Sequence, residues 1–188
     1  MVAHDDPLLL TEDEYLTLDQ SIDVRHEFVD GYVYAMSGGT LDHDAIGGNV
    51  RTALHIALRG GSCRVYGPDA RVRLGPRRYV YPDAVVTCHP DDRGGKLYVE
   101  HPRVIVEVLS ESTEAYDRGK KMLYYQACSS VREYVLVNTR LRRVEVYERD
   151  DTIWTYRAYD DAAAVSLSIA DIQITLANVY LDVAVPPT

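Results

Sequence analysis

Phenylalanine and tryptophan are almost missing from this chain, with one of each, whereas tyrosine occurs 15 times. Its aromatic surface is therefore mostly amphipathic, which suits half-buried strands and wet interfaces where a ring packs and its hydroxyl stays near water. Cysteine is scarce as well. Cys63, Cys88 and Cys128 form no C-x-x-C pair and no zinc-finger spacing. They are expected to be reduced, small buried hydrophobes in a cytoplasmic protein, not catalytic thiols. No apolar run approaches the length of a membrane span, so no membrane partner is expected. The segment from Met1 to Leu16 lacks the basic start and long apolar run of a signal peptide. An excess of positive charge is also absent. The formal net charge is −9, which opposes sequence-independent attraction to a polyanion but leaves room for a local basic patch. A carboxylate-rich site in such a chain would want cations.

What is present is ordinary globular composition, 46% hydrophobic and 26% charged over 188 residues. That length suits one domain over residues 1–188 with a core over about 11–181. There is no internal repeat and no low-complexity linker.

Thr11 to about Ile22 reads as a first helix. Thr11 and Glu14 fit a capping box, and Tyr15, Leu16 and Leu18 supply a modest apolar face. His26 to Met36 reads as a hairpin or bent strand around the Asp30-Gly31 turn signal. Ser37 to Thr40 is a loop. Ile46, Val50, Ala53, Leu54, Ala57 and Leu58 then recur at helical spacing from about Leu41 to Leu58, ahead of Gly60-Gly61. Cys63–Tyr66 and Ala70–Leu74 read as one interrupted strand with Arg71 and Arg73 on a solvated face. Tyr79 to Thr87 carries Pro82-Asp83, and proline removes a ladder donor, so a break or bulge is expected there. Pro102 to Ser110 is nearly all apolar and should be central and buried on both faces. Ser112 to Cys128 reads as a helix with Met122, Leu123 and Tyr125 inward. Glu133–Asn138 is another central strand. Arg142–Glu148 and Ile153–Ala158 pair as a hairpin. A short strand or turn near Val165–Ile169 and a helix around Leu176–Val183 precede a frayed tail, Val185 to Thr188. This order implies an α/β chain with a mixed sheet flanked by helices.

The chemistry points to Asp83 and Glu107. A carboxylate inside Val-Ile-Val-Glu-Val-Leu is costly to bury unless it is paired or binds a cation. Adjacent strands could bring both acids together, and a hard divalent cation would relieve their repulsion. The structural alternative is a buried Arg or Lys beside Glu107. On the following helix Asp117 and Lys121 share a face, with Tyr125 on the same stripe. That pair is either a surface ion pair or a positive group above the acids. Glu27 is either a third carboxylate or a solvated hairpin residue. His43, at the start of the second helix, is a capping or surface residue before it is a ligand. Arg71, Arg73, Arg77 and Arg78, with Arg118, Lys120 and Lys121, are candidate phosphate contacts. The arginine run also fits a solvated strand edge that discourages aggregation.

Several motifs occur in order. They are Glu27-Phe28-Val29-Asp30-Gly31, His43, Pro82-Asp83, Val106-Glu107-Val108-Leu109-Ser110, Asp117-x-x-x-Lys121-x-x-x-Tyr125 and Glu133-Tyr134-Val135-Leu136-Val137. Together they resemble the Uma-type family of restriction-endonuclease-like proteins, within the PD-(D/E)XK nuclease superfamily. The resemblance runs from about Thr11 to Leu181. It implies a restriction-endonuclease-like mixed β-sheet core flanked by helices. It implies Asp83 and Glu107 as ligands of Mg²⁺ or Mn²⁺ and as catalytic residues, with Glu27 as a further ligand or metal-orienting group. The superfamily pattern wants a lysine two residues after the Glu, where this chain has Leu109. In Uma-type sequences that lysine comes from the following helix, where Lys121 matches and Lys120 is the adjacent alternative. His43, Asp117 and Tyr125 are accessory candidates. The implied activity is metal-dependent hydrolysis of phosphodiester bonds in DNA. One competing expectation is a catalytically inactive binding or assembly module. Another is a hydrolase or transferase of a small phosphorylated or nucleotide substrate, which would need a closed pocket. Tyr-rich strands near the C-terminus suggest a homodimer.

Overall fold

The structure is a computed structural model that describes residues 9–21, 24–36, 38–160 and 164–187. The chain runs α1 (Glu12–Ser21), β1 (His26–Val29), β2 (Tyr32–Ala35), α2 (Leu41–Ala57), β3 (Arg64–Tyr66), β4 (Val72–Gly75), β5 (Arg78–Val80), β6 (Ala84–Thr87) and β7 (Val104–Val108). A helical segment follows as α3 (Glu114–Tyr116), a π-turn (Asp117–Lys121) and α4 (Met122–Ala127). The rest is β8 (Glu133–Val137), β9 (Arg143–Asp150), β10 (Ile153–Asp160), β11 (Ala164–Leu167), β12 (Ile172–Thr175) and α5 (Leu176–Val179).

A six-stranded sheet in the order β10-β9-β8-β7-β6-β3 forms the centre. Its β7–β8 pair is parallel and the other pairs are antiparallel, so the sheet is mixed. Every residue of β7 and β8 is buried, as their unbroken apolar runs require. One face packs on α2, β11, β12 and α5 through Ile46, Val50, Leu54, Val106, Val135 and Leu176. The other packs on α4 and β4 through Val72, Val85, Ile105, Tyr125, Tyr134 and Leu136.

A second sheet, β2-β1-β5-β4, is antiparallel throughout. Its β1–β2 hairpin turns at Asp30 (φ 54°) and Gly31 (φ 106°), the doubly left-handed geometry that an Asp-Gly pair adopts with least strain. The Thr11–Glu14 capping box forms. The Glu14 carboxylate accepts the Thr11 N–H at 2.8 Å, and Thr11 Oγ1 accepts the Glu14 N–H at 3.3 Å. Thr40 caps α2, its side chain accepting the His43 N–H at 3.2 Å.

Several expectations need correction. Cys63–Tyr66 and Ala70–Leu74 are not one interrupted strand, because β3 joins the large sheet and β4 the small one. The 79–87 stretch breaks around Pro82-Asp83, and its halves, β5 and β6, also lie in different sheets. Leu123 is 64% exposed rather than inward. Tyr125 takes the buried side of α4, and a residue two positions away lies about 200° round the helix, so Leu123 faces out. The π-turn before α4 brings Asp117, Lys121 and Tyr125 onto one buried side. An α-helix drifts by about 40° over each four-residue step, and a wider i→i+5 turn absorbs part of that drift. The segment after Leu167 returns as β12, which pairs with β11 from Leu167↔Ile172 to Ala164↔Thr175. The tail is tied down: the Pro186 carbonyl accepts the Arg142 N–H at 3.0 Å, and Val185 is buried. Thr188 and Ile22 lie outside the described residues.

The cysteines also depart from expectation. Cys63 and Cys88 form a disulfide, while Cys128 is a buried free thiol. Arg64 pairs with Thr87 in the β3–β6 ladder, so the two cysteines flank one cross-strand pair and face each other despite a sequence separation of 25. Among the described residues, no helix is long and apolar enough to cross a membrane.

Candidate active site

Antiparallel β6 and β7 register Ala84 opposite Val106. Continuing that register by one step would set Asp83 opposite Glu107, and directly opposed residues project to the same side of a sheet. Pro82 has no N–H and the regular pairing stops. The Asp83 carboxylate takes over the next donor, with Oδ2 accepting the Val108 N–H at 2.7 Å. Sequence local to β6 thus both interrupts the strand and turns a carboxylate onto the end of β7.

Glu107 is almost wholly buried. Its Oε1 accepts the Tyr125 hydroxyl at 2.6 Å and the Lys121 ammonium at 3.0 Å. Lys121 also reaches Glu27 Oε1 at 2.9 Å and Asp117 Oδ1 at 3.6 Å, and it lies 5.7 Å from the centre of the Tyr116 ring. Three elements therefore converge. β1 brings Glu27, the Asp83–β7 region brings two acids, and the π-turn brings Asp117 and Lys121. The partner of Glu107 in the interior is this lysine, as the structural alternative foresaw.

Among the described residues, four carboxyl groups, those of Glu27, Asp83, Glu107 and Asp117, crowd around the Lys121 ammonium, with the Arg51 guanidinium acting on Asp83 from outside. Burial pushes Glu107 up to about 8. Lys121 opposes the shift, while Asp117, Asp83 and Glu27 add to it. Burial likewise raises Asp83, against His43, the Val108 N–H, Lys121 and Arg51. It also raises Asp117, against Lys121 and Thr113. Burial alone would lower Lys121, but Glu107, Glu27 and Asp117 outweigh it and hold the group well above the usual lysine range. Lys121 is thus a firmly protonated cation and cannot serve as a base in this state.

A cleft of 790 Å³ opens onto the cluster, and its lining includes Asp83, Glu107, Asp117, Lys121, His43 and Ser110. His43 Nε2 lies 2.8 Å from the Val108 carbonyl oxygen and 3.6 Å from Asp83 Oδ2. Arg51 donates to the Asp83 carbonyl at 3.2 Å. No sequence signal marked Arg51, whose helical position is unremarkable. Lys120 stays exposed and outside the cluster.

The arginines expected at a solvated edge or a phosphate grip have internal partners. Arg71 is buried against Asp19 at 3.2 Å. Arg73 meets Glu12 and Glu100. Arg78 meets Asp30, and Arg77 donates to the Asp30 carbonyl. Arg118 is held between Glu114 and Glu145. Among the described residues, no group of three or more His, Cys, Asp or Glu side chains is arranged to hold a metal ion.

Comparison with known proteins agrees with this architecture. An uncharacterized protein, slr1290, from Synechocystis sp. (strain ATCC 27184 / PCC 6803 / Kazusa) is 34% identical over 168 residues, covering 86% of this chain and 88% of its own length. A second from the same organism, sll1609, is 26% identical over 144 residues, covering 75% and 81%. The crystal structure of a putative nuclease belonging to DUF820 from Anabaena variabilis ATCC 29413 superposes with a TM-score of 0.73 at 17% identity, over 90% of this chain and 97% of that one. That likeness establishes a shared fold. Residues 12–177 match the Uma2 family, described as "putative restriction endonuclease", and the chain belongs to that family.

Proposed function

We propose that this protein is a nuclease that uses Mg²⁺ or Mn²⁺ to hydrolyse phosphodiester bonds in DNA. The observation that carries the reading is the crowding of four carboxyl groups around the Lys121 ammonium, three of which, Asp83, Glu107 and Asp117, line an open cleft. Family membership supports nuclease chemistry, and restriction-endonuclease-like proteins as a group use divalent metals.

The donor set fits such an ion. Among the described residues, Asp83 Oδ1 and Glu107 Oε2 receive no hydrogen bond, since the protein donors go to Oδ2 and Oε1. Mg²⁺ commonly takes one or two carboxylates and completes its shell with water and substrate phosphate oxygens. Two protein carboxylates therefore suffice, consistent with the lack of a larger ligand cage. A divalent cation held there would lower the pKa of a bound water and polarise a phosphate oxygen. Asp83 and Glu107 hold it. Lys121, kept charged by its neighbours, stabilises negative charge growing on the phosphate in the transition state. Glu27, Asp117 and Tyr125 aim Lys121 and Glu107.

Among the described residues, the two Arg or Lys side chains lining the cleft, Arg25 and Lys121, are both paired with carboxylates. DNA attraction therefore has to come largely from the bound metal, and affinity should depend on it. A non-catalytic binding module is the competing account, favoured by Leu109 where the superfamily has lysine. A supercoiled-plasmid nicking assay separates the two. Wild type should nick with Mg²⁺ or Mn²⁺ and not with EDTA, and Asp83→Ala and Glu107→Gln should be inactive. Nicking that survives Asp83→Ala, or a wild type inactive with every divalent ion, contradicts the proposal.

A further inference from the structure

His43 reaches the end of β7 from the first turn of α2, and three contacts fix its ring there. Thr40 Oγ1 accepts its backbone N–H at 3.2 Å. The ring packs on Gly39 so closely that a Cβ at that position would lie 2.8 Å from Nδ1. Nε2 lies 2.8 Å from the Val108 carbonyl oxygen. A carbonyl oxygen can only accept, so Nε2 carries the hydrogen and has no lone pair to offer a cation. Val108 uses its other backbone group on Asp83, donating its N–H to Oδ2 at 2.7 Å. The backbone of one residue therefore links the imidazole to the carboxylate. With Oδ2 held, Oδ1 is the Asp83 oxygen that accepts no hydrogen bond among the described residues, and Asp83 lines the cleft.

We infer that His43 is a positioning residue for the cation site, acting through Val108 on Asp83, and that Gly39 is glycine to leave room for its ring. The inference rests on the reading of Asp83 as a cation ligand. Groups one step beyond the ligands fix ligand orientation, and losing them commonly weakens metal affinity by about 10–100-fold; His43 stands one link further out, so its loss is expected at the lower end of that range.

The test is calorimetric titration of Mn²⁺ into the full chain, with a thermal melt of each variant as a check on folding. His43→Ala should weaken Mn²⁺ binding about ten-fold or more. His43→Gln, whose side-chain amide can still donate to the Val108 carbonyl, should recover most of it. Gly39→Ala leaves every candidate ligand intact but displaces the ring, and it should weaken binding as His43→Ala does. Gly38→Ala, with nothing within 4 Å of the added Cβ, should bind like wild type. If His43→Ala does not fold, the Gly39→Ala and Gly38→Ala pair carries the same test. Unchanged Mn²⁺ affinity in His43→Ala or Gly39→Ala overturns the positioning role. So does a His43→Gln variant as weak as His43→Ala, because the imidazole would then act otherwise than through the Val108 carbonyl. A wild type that binds no Mn²⁺ overturns the cation site itself, and the positioning role with it.

Discussion

Two clusters of buried charge adjoin the four-stranded sheet, and they are built differently. Between α1 and β4, Asp19 meets Arg71 at 3.2 Å, and Arg73 divides itself between Glu12 at 3.0 Å and Glu100 at 3.4 Å. Aromatic rings complete that cluster. The Arg71 guanidinium lies 5.7 Å from the Tyr15 ring and 5.8 Å from that of Tyr79, while Tyr79 and Tyr81 donate their hydroxyls to Glu12 and Asp19. Each guanidinium there has a carboxylate partner and an aromatic neighbour. At the end of β7, by contrast, one lysine serves four carboxylates and the group faces a cleft. The first cluster sets two guanidinium groups against three carboxylates and holds α1 to the sheet. The second crowds four carboxyl groups around one ammonium and raises the pKa of Asp83, Glu107 and Asp117, and we attribute that crowding to a cation it is built to receive.

Removing the central cation should separate the two most sharply. Lys121→Met and Arg71→Met each strand a buried carboxylate, and each should cost about 3–5 kcal/mol of folding stability. Saturating Mn²⁺ should restore part of the loss in Lys121→Met, because ligand binding to the folded state adds stability by mass action. It should restore nothing in Arg71→Met. Denaturant melts with and without the ion measure both effects, and equal rescue of the two would erase the distinction.

The disulfide gives a control lying in neither cluster. In protein denatured without reductant, one thiol should react with a chromogenic disulfide reagent, and after reduction three should. Losing the cross-link in Cys63→Ser/Cys88→Ser should cost about 2–4 kcal/mol, with Mn²⁺ binding unaltered. Three reactive thiols in air-oxidised protein would mean the pair is not joined.

Acidity should distinguish the clusters next. Glu107 titrates near 8 when folded against an ordinary value of 4.5. Between those values the folded chain holds a proton that the unfolded chain has lost, so stability falls as pH rises through that window. Burial raises Asp83 and Asp117 in the same direction. The thermal midpoint of metal-free protein should therefore decline from about pH 5 to pH 8. In Glu107→Gln that decline should flatten. An unchanged slope in the variant would remove Glu107 as its source.

The smallest expected effect belongs to Tyr125→Phe. It deletes one hydrogen bond to a carboxylate, worth about 1.5–3 kcal/mol. Mn²⁺ affinity should fall by less than in any variant of the two acids, since Lys121 still holds Glu107.

Much of the scaffold is legible in the residues themselves. Asp30-Gly31 dictates its turn, Thr11 and Glu14 their capping box, Pro82 the break in its strand, and the run from Val104 to Val108 its central place. These are local signals, each set by backbone freedom or by burial on both faces of one strand. What stayed hidden depends on which strand chooses which partner. Nothing near Arg71 shows that β4 leaves the large sheet and meets α1, so its alternating pattern mimics a solvated edge. Cys63 and Cys88 look unrelated until β3 and β6 pair. The stripe Asp117, Lys121 and Tyr125 is visible from four-residue spacing, whereas the π-turn that straightens it is not. At the candidate site, the acids betray themselves by sitting in apolar strands. Arg51, the Val108 backbone and the space beside Gly39 carry no such mark, because their part in the site comes from position alone.

The central claim is that the carboxylates around Lys121 are completed by a divalent cation held on Asp83 and Glu107. Calorimetric titration of Mn²⁺ into wild type, Asp83→Ala and Glu107→Gln tests it most directly. The account predicts saturable binding to the wild type that is lost in both variants. Equal binding in all three, or none in the wild type, would contradict it.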